Sequence, residues 1–263
     1  MTRQPERPTL SAVAAIVRRA DPDRFTCGLF APPDKREAVL LLAAVNHELA
    51  RAWEVTSVAP LALIRLQWWR EIADGARRSH EIAGPLGEAI DAGTIDPDDI
   101  LAMVDAREID EVPDFLTWET LVRGTAGRLA TAQARVLGAD AAATLRIGEL
   151  GAAYGAVGQL RSIEVVARRG RCLLPLDLLA EAGMIAEDVT ADPRDPRLAP
   201  FRARLADWAR ARFAAGAGTL PRTVIAAGLP GVLARRDLKY PGAARGPGDR
   251  LAVLTAYARG AVC

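Results

Sequence analysis

The densest group of residues that could bind a charged ligand lies near residue 170. Residues 168–171 read Arg-Arg-Gly-Arg, and they follow a helical segment that carries Gln159 and Arg161. Guanidinium groups bind phosphate oxygens through paired hydrogen bonds, so this cluster fits a phosphate or a diphosphate. A solvated basic helix end, favoured by the helix dipole, explains the same arginines equally well.

Four glycines precede this cluster on one face of a predicted helix. Gly148, Gly151, Gly155 and Gly158 follow helical spacing. Each glycine in a helix interior costs about 1 kcal/mol relative to alanine, so four on one stripe need a compensating gain. Close packing against a second helix would supply that gain, and so would a bare wall that lines a cavity.

Paired aspartates four residues apart are candidate Mg²⁺ ligands, because that spacing puts two carboxylates on one helix face. The sequence contains two such strings, at 110–114 and 188–192. Pro113 lies inside the first string and Pro193 follows the second. Proline and the residue before it both disfavour the helical conformation, so we predict that neither string binds a metal.

A tryptophan pair forms the second candidate site. Trp68 and Trp69 are flanked by Arg65 on a predicted helix. Adjacent helical positions point about 100° apart, so one ring is expected in the core and the other in a groove or against a partner. We therefore assign Arg65, Trp68 and Trp69 to a cavity or partner surface.

Charge and cysteine content exclude several function classes. The chain has 34 Lys+Arg and 33 Asp+Glu, a net charge of +1, which argues against a nucleic-acid-binding arm. The three cysteines, Cys27, Cys172 and Cys263, are far apart and odd in number, so a reducing compartment without a disulfide framework is expected. His47 and His80 cannot complete a zinc site with them and are expected to be structural or exposed.

The hydrophobic pattern predicts a single α-helical domain over residues 1–263. Apolar spacing is helical almost throughout, and the longest uncharged run, 223–234, is too short to cross a membrane, which takes about 20 residues. Residues 1–20 mix charges among apolar positions and do not resemble a secretory signal. The predicted helices cover residues 11–20, 34–53, 60–72, 97–104, 115–138, 145–166, 175–182, 201–215 and 249–259.

Several segments together resemble the squalene/phytoene synthase family. These are AAVNHELAR at 43–51, IRLQWWRE at 64–71, MVDAREID at 103–110 and YGAVGQLRSIEVVARRGRCLLP at 154–175. The resemblance runs in order from residue 23 to about residue 261, and its most specific part is the Arg-Arg-Gly-Arg and Leu-Pro context. It implies an all-α bundle of isoprenoid-synthase type around a central cavity.

The same resemblance implies a substrate site at the end of the glycine-faced helix. Enzymes of the family handle an anionic prenyl substrate near the arginine cluster. The resemblance therefore assigns substrate binding to five residues, which are Tyr154, Gln159, Arg168, Arg169 and Arg171.

The chain departs from the family where its metal ligands belong. The family's enzymes place two aspartate-rich motifs on opposed helices to hold Mg²⁺ and prenyl diphosphate. At the first position this chain has Ala50, Arg51 and Trp53 with Glu54 as the one acid, and at the second it has Glu164 alone. This pattern is similar to the branch of the family that lacks both motifs and includes a mitochondrial complex I assembly factor.

Two functional hypotheses follow. The first is a synthase-like protein without prenyl transfer, which binds a partner protein or an isoprenoid or lipid ligand in assembly of respiratory complex I. The second is a Mg²⁺-dependent prenyltransferase that joins two prenyl diphosphates head to head, with Asp105 and Asp110 as its catalytic acids. Five residues apart, these two acids lie about 140° apart on a helix and do not easily share one ion.

The first hypothesis carries expectations about cofactors, partners and location. No cofactor and no metal are expected, and Mg²⁺ enters only with the second hypothesis. The expected partners are a prenyl or lipid-like ligand, a protein and the surface of a membrane, but not nucleic acid. The expected location is the cytoplasm, with peripheral attachment to the inner membrane as the alternative.

Overall fold

The computed structural model describes residues 10–56 and 58–262, and nearly all of their regular structure is helical. The α-helices are α1 (Ala12–Ala20), α2 (Pro22–Gly28), α3 (Pro33–Arg51), α4 (Ala59–Ala73), α5 (Ala83–Asp91), α6 (Pro97–Arg107), α7 (Phe115–Val122), α8 (Arg128–Leu137), α9 (Ala141–Ala167), α10 (Leu176–Glu181), α11 (Ala186–Ala191), α12 (Ala199–Gly216), α13 (Pro230–Lys239) and α14 (Pro247–Arg259). A π-helical turn (Arg123–Gly127) joins α7 to α8, and two short 3₁₀ turns lie at Pro196–Leu198 and Ile225–Ala227.

The strands in this part of the chain are two short segments, β1 (Gly218–Thr219) and β2 (Ala261–Val262). They pair in antiparallel fashion, with Gly218 opposite Val262. The prediction of an all-α fold is therefore confirmed. Cys27 and Cys172 carry free thiols. Cys263 and residues 1–9 lie outside the described residues. The latter are part of the segment 1–20, which was expected not to be a secretory signal.

Local signals in the sequence correctly predicted several helix ends. The Ser11 hydroxyl accepts a 3.0 Å hydrogen bond from the backbone N–H of Ala14 and caps α1. Asp96 caps α6, which has Pro97 as its first residue. Gly138 ends α8 in the left-handed conformation, at φ +83°.

Other predicted helices differ from the structure. The helix predicted over 115–138 is divided into α7 and α8 by the π turn, at which the Thr125 hydroxyl donates a 2.6 Å hydrogen bond to the carbonyl of Leu121. Helices α2, α5, α11 and α13 are absent from the prediction. Helix α5 lacks a Ser, Thr, Asp or Asn cap, and the ring of His80 accepts hydrogen bonds from its first backbone N–H groups instead. This contact gives His80 the structural role expected for it.

The two Asp-x-x-x-Asp strings do not form helical pairs. Asp110 lies beyond the end of α6, and Asp114 caps α7 through a 2.7 Å hydrogen bond from the backbone of Thr117. Asp188 lies in the first turn of α11, whereas Asp192 follows its last residue. The prolines therefore have the effect predicted from the sequence.

Helix α9 is the central element of the second half of the fold. It packs against α8, α12, α13 and the π turn. Its buried side chains join two hydrophobic clusters, one around Leu150 and Leu229 and the other around Trp118 and Leu205. A third cluster, centred on Leu42 and Leu66, holds α3 against α1, α4 and α6.

The glycine face of α9 serves mainly close helix packing. A Cβ added to Gly151 would lie 2.4 Å from the Cβ of Ala130, and at Gly148 and Gly155 the nearest atoms would lie at 2.8 and 2.6 Å. At Gly158 an added Cβ would meet no described atom within 4 Å. An apolar ligand therefore cannot lie along the first three glycines. Of the four positions, Gly158 alone has open space beside it within the described chain.

Candidate functional site

A central cavity of about 220 Å³ lies where the C-terminal ends of α3, α6 and α9 approach the π turn. Its position follows from α9, whose last turns carry one wall and whose following loop returns past α3. The lining residues are Ala50, Trp53, Glu54, Arg107, Ile109, Leu121, Thr125, Gln159, Val166, Arg169, Arg171 and Leu173.

The structure brings three of the five predicted substrate-binding residues together in this cavity. Gln159, Arg169 and Arg171 line it, whereas Tyr154 and Arg168 do not. Arg168 follows the last residue of α9 and is exposed to solvent. The amide oxygen of Gln159 accepts a 2.7 Å hydrogen bond from the indole N–H of Trp118, so its orientation is held.

Tyr154 lies in a different contact network. Its hydroxyl donates a 3.1 Å hydrogen bond to Asp23, and the guanidinium of Arg24 lies 4.7 Å from the centre of its ring. Burial and the nearby carboxylate of Asp21 raise the pKa of Tyr154 well above its usual value, so the hydroxyl stays protonated at neutral pH. In this position Tyr154 links α9 to α2.

Arg107 is a charged residue of the cavity that was not predicted from the sequence. It is buried, and it donates hydrogen bonds of 3.0 Å to the carbonyl of Met103 and 2.6 Å to the amide oxygen of Asn46. Among the described residues, no carboxylate lies within 4 Å of its guanidinium. Burial, followed by the charge of Arg24, lowers the pKa of Arg107 to about 9, so the side chain is still a cation at neutral pH. Asn46 and Arg107 both lie in segments that carry the family resemblance, but that resemblance assigned neither residue to the substrate site.

Trp53 organises the arginines at the mouth of the cavity. Its indole N–H donates a 2.6 Å hydrogen bond to the backbone carbonyl of Arg107, and the guanidinium of Arg171 lies 4.1 Å from the centre of its ring. Arg171 also forms a 2.9 Å ion pair with Asp110. Such stacking fixes a guanidinium plane while leaving N–H groups free to bind oxygen.

The cavity contains three arginines and one carboxylate. Glu54 is that carboxylate, and it lies 3.4 Å from Arg169. A magnesium ion prefers an octahedral set of oxygen ligands that includes carboxylates. Here Glu54, Gln159 and Thr125 offer four side-chain oxygens beside three guanidinium groups, so the residues present do not fit Mg²⁺. Within the described chain, no group of three His, Cys, Asp or Glu residues is arranged to hold a metal ion.

The acids proposed for the enzyme hypothesis lie outside the cavity lining. Asp105 forms a 2.7 Å ion pair with Arg70, which also binds Glu108 at 2.7 Å. Asp110 pairs instead with Arg171. The two carboxylates therefore contact different arginines and do not face a common point.

Glu164, the one acid at the second motif position, is also engaged elsewhere. Both of its oxygens accept 2.9 Å hydrogen bonds from Arg194 at the surface. These bonds hold the pKa of Glu164 below its usual value. The position that would carry the second aspartate-rich motif thus provides a surface ion pair.

Arg65, Trp68 and Trp69 meet in a groove of about 340 Å³ on the opposite side of α3 from the central cavity's arginines. Trp69 is only 4% exposed, whereas Trp68 is half-buried, and the two rings are perpendicular with centres 4.9 Å apart. Trp69 thus packs in the core, as expected of one member of the pair, and both rings line the groove, whereas the assignment of this surface to a partner stays a prediction. The lining residues are Glu48, Arg51, Ala52, Ile64, Arg65, Trp68, Trp69 and His80.

Comparison with known proteins identifies the family. The model of squalene/phytoene synthase matches residues 17–242. The chain belongs to the squalene/phytoene synthase family. This membership confirms the resemblance inferred from the four sequence segments, and the match spans the central cavity and the tryptophan groove.

The chain is similar to known proteins in sequence and, separately, in fold. It is 26% identical over 182 residues to NADH dehydrogenase (ubiquinone) complex I, assembly factor 6, of Rattus norvegicus, which covers 66% of this chain and 55% of the relative. The chain thus spans about half the length of the curated relatives it matches. Its fold is similar to that of a dehydrosqualene synthase, with a TM-score of 0.76 at 13% identity over 94% of both chains. A squalene synthase from Alicyclobacillus acidocaldarius gives a TM-score of 0.67 at 15% identity, over 94% of this chain and 92% of the other.

These similarities confirm the fold class. At such low identity the likeness to the two synthase structures concerns the fold, an all-α bundle of isoprenoid-synthase type. Within residues 10–56 and 58–262, no helix combines the length and the apolar character needed to span a bilayer.

Proposed function

We propose that this family member binds an anionic isoprenoid or lipid-like ligand in its central cavity and does not transfer prenyl groups. The observation that carries the proposal is the positive charge of the cavity. Its lining contains three arginines, Arg107, Arg169 and Arg171, and one carboxylate. Prenyl transfer needs a metal cluster to stabilise the departing diphosphate. A cavity rich in arginine attracts the anion but offers no comparable metal site.

The cavity has the parts needed to hold a charged headgroup. Arg107 forms a buried cationic wall, while Arg169 and Arg171 approach from the loop after α9. The remaining lining includes Leu121, Val166 and other apolar side chains, which suit the first carbons of a prenyl or acyl chain. Its volume of about 220 Å³ is below the ~300–1,000 Å³ of ordinary ligand pockets, so the rest of a long chain would extend outside it.

We further propose that ligand binding serves the assembly of respiratory complex I. The relatives that are 26% identical to this chain over 182 residues are named as assembly factors of that complex. The groove formed by Arg65, Trp68 and Ile64 is the surface proposed for the protein partner, because aromatic and arginine side chains are enriched in interfaces. A role in the assembly of that complex would make the protein a peripheral component of the inner membrane.

Ligand binding is tested by isothermal titration with farnesyl monophosphate, once with Mg²⁺ and once with EDTA. We expect saturable binding of equal affinity in both buffers, because the arginines and not a metal hold the phosphate. Binding that requires Mg²⁺ would contradict the proposal and favour the prenyltransferase hypothesis. Absence of binding in both buffers would leave no support for a ligand in the cavity.

The assembly role is tested by deleting the gene in the organism that encodes it and measuring NADH:quinone oxidoreductase activity of its membranes. We expect a loss of assembled complex I that the wild-type gene restores. The Trp68→Ala variant should restore less if the groove binds the partner. Normal complex I in the deletion strain would refute the role in assembly while leaving the ligand test unaffected.

A further inference from the structure

A second basic cleft lies between α13 and α14, separate from the central cavity. At about 370 Å³ it is the larger of the two. Its lining contains four cationic side chains and no acidic one. The lining residues are Val232, Arg235, Arg236, Lys239, Tyr240, Gly248, Leu251, Ala252, Thr255, Ala256, Arg259 and Ala261.

Three of these cations have no counter-ion among the residues that the structure describes. Within the described chain, no carboxylate lies within 4 Å of Arg235, Lys239 or Arg259, and all three are exposed. Arg236 is the paired member, at 2.7 Å from Asp249. Residues 230–262 contain six basic and two acidic side chains, although the whole chain is almost neutral. Cations that share a cleft repel one another, so this arrangement favours an anion between them.

The helix dipole explains only part of this pattern. Basic residues are favoured in the last turn of a helix, which accounts for Lys239 in α13 and Arg259 in α14. Arg235 precedes the last turn of α13, and its guanidinium lies 5.8 Å from the ring centre of Phe213. Convergence of this arginine with the two helix-end cations on one cleft is what an anion site requires.

The remaining lining suits an organic group attached to that anion. Leu251 is 64% exposed at the edge, and buried Val232 and Ala256 form the floor. The hydroxyls of Tyr240 and Thr255 add two hydrogen-bond donors. A pocket with several convergent polar groups on an apolar floor has the character of a small-ligand site.

We propose that this cleft binds a phosphomonoester, with Arg235, Lys239 and Arg259 donating charge-assisted hydrogen bonds to the phosphate and the organic group lying against Leu251 and Ala252. Phosphate offers several acceptor oxygens, which matches three donors that approach from two helices. A free small molecule and the headgroup of a phosphatidic acid share this chemistry.

The experiment has one arm for each source. Isothermal titration with phenyl phosphate measures binding of a free phosphomonoester. Sedimentation with phosphatidylcholine vesicles, with and without phosphatidic acid, measures binding to the lipid headgroup. We expect binding in at least one arm, weakened about tenfold by Lys239→Gln and by Arg259→Gln, since each removes a charge-assisted bond. Arg250→Gln is the matched control, because Arg250 is an exposed arginine of α14 that lines a different cavity.

A second variant tests the location without changing the charge. Ala252→Leu fills the cleft from α14 and should weaken binding of phenyl phosphate, while thermal melting checks that the variant is folded. Binding in neither arm overturns the proposal. So does an equal loss in Arg250→Gln, which would reveal a general charge effect, or a full affinity in Ala252→Leu. Phenyl phosphate binding that is lost in Arg107→Gln and retained in Lys239→Gln would belong to the central cavity and would likewise overturn it.

Discussion

The guanidinium of Arg107 donates a 2.6 Å hydrogen bond to the amide oxygen of Asn46, 61 residues away, in the interior of the helical bundle. A buried cation is thus met by a neutral oxygen and not by a carboxylate. Removing a charge from water costs several kcal/mol unless an opposite charge compensates it. An anion in the adjacent cavity would provide that compensation, which is why Arg107 is central to the proposed ligand site.

The pH dependence of ligand binding should report on Arg107. Its pKa is lowered to about 9 in the folded protein by burial and by Arg24, well below the ordinary value of an arginine. The protonated side chain is the form that attracts an anion, so affinity for farnesyl monophosphate should be constant up to about pH 8 and fall above about pH 9. Titration calorimetry across this range measures the effect. In Arg107→Gln, binding should be weaker at neutral pH and should lack this alkaline decline; an identical decline in the variant would assign it to another group.

The contribution of Arg107 to the free energy of unfolding should change with pH in the opposite direction to ligand affinity: stability rises as affinity falls. Between its folded pKa of about 9 and the higher ordinary pKa of an arginine, the unfolded chain holds the proton that the folded chain releases. The unfavourable contribution of the buried charge is therefore fully present below pH 9 and is relieved as the pH rises through that window. Comparing ligand-free wild type with Arg107→Gln in urea unfolding, below and above pH 9, separates this effect from ligand binding.

The two neighbouring arginines at the end of α9 should differ in their effect on binding. Both are exposed, but Arg169 lines the cavity and Arg168 does not. Since a charge-assisted hydrogen bond contributes about 1.5–3 kcal/mol, Arg169→Ala should weaken farnesyl monophosphate binding about tenfold or more. Arg168→Ala removes the same charge one residue earlier and serves as the control in the same titration. Equal affinities of the two variants would show that net charge, and not the cavity, governs binding.

Gly151 and Gly158 should respond oppositely to alanine. A Cβ on Gly151 would lie 2.4 Å from the Cβ of Ala130 and 2.7 Å from the carbonyl oxygen of Ala126, so Gly151→Ala should destabilise the fold by about 1–3 kcal/mol. A Cβ on Gly158 meets no described atom within 4 Å, so Gly158→Ala should stabilise α9 by up to about 1 kcal/mol. Urea unfolding of both variants measures the difference. A stable Gly151→Ala protein would mean that α8 and α9 are not in close contact.

Incubation with Mg²⁺ and farnesyl or geranylgeranyl diphosphate should release no pyrophosphate above background. The reason is the donor set, since Glu54 is paired with Arg169 and the acids Asp105 and Asp110 contact different arginines. A coupled pyrophosphate assay and analysis of hydrocarbon products provide the measurement. Formation of squalene or phytoene that is abolished in Asp105→Ala would contradict the prediction and restore the prenyltransferase hypothesis.

Local physical chemistry made much of the fold readable in the sequence. The caps at Ser11 and Asp96 and the left-handed Gly138 act over a few residues, so the helices predicted over 11–20, 97–104 and 115–138 each have an end where the structure has one. The arginine cluster was also recognised, because Arg168, Arg169 and Arg171 lie within four consecutive residues. Such signals depend on neighbours along the sequence and not on how the helices meet.

Tertiary packing decided which of these residues form the site. Arg107 and Asn46 lie on different helices, and nothing in either segment shows that their side chains meet. Arg168 and Arg169 both follow the last residue of α9 and both are exposed, but only Arg169 lines the cavity. From the sequence, the glycine face of α9 was compatible both with close helix packing and with the wall of a cavity. The position of α8 against α9 decides in favour of packing. Contacts between distant segments depend on the relative positions of whole helices, and the sequence pattern of one helix does not contain that information.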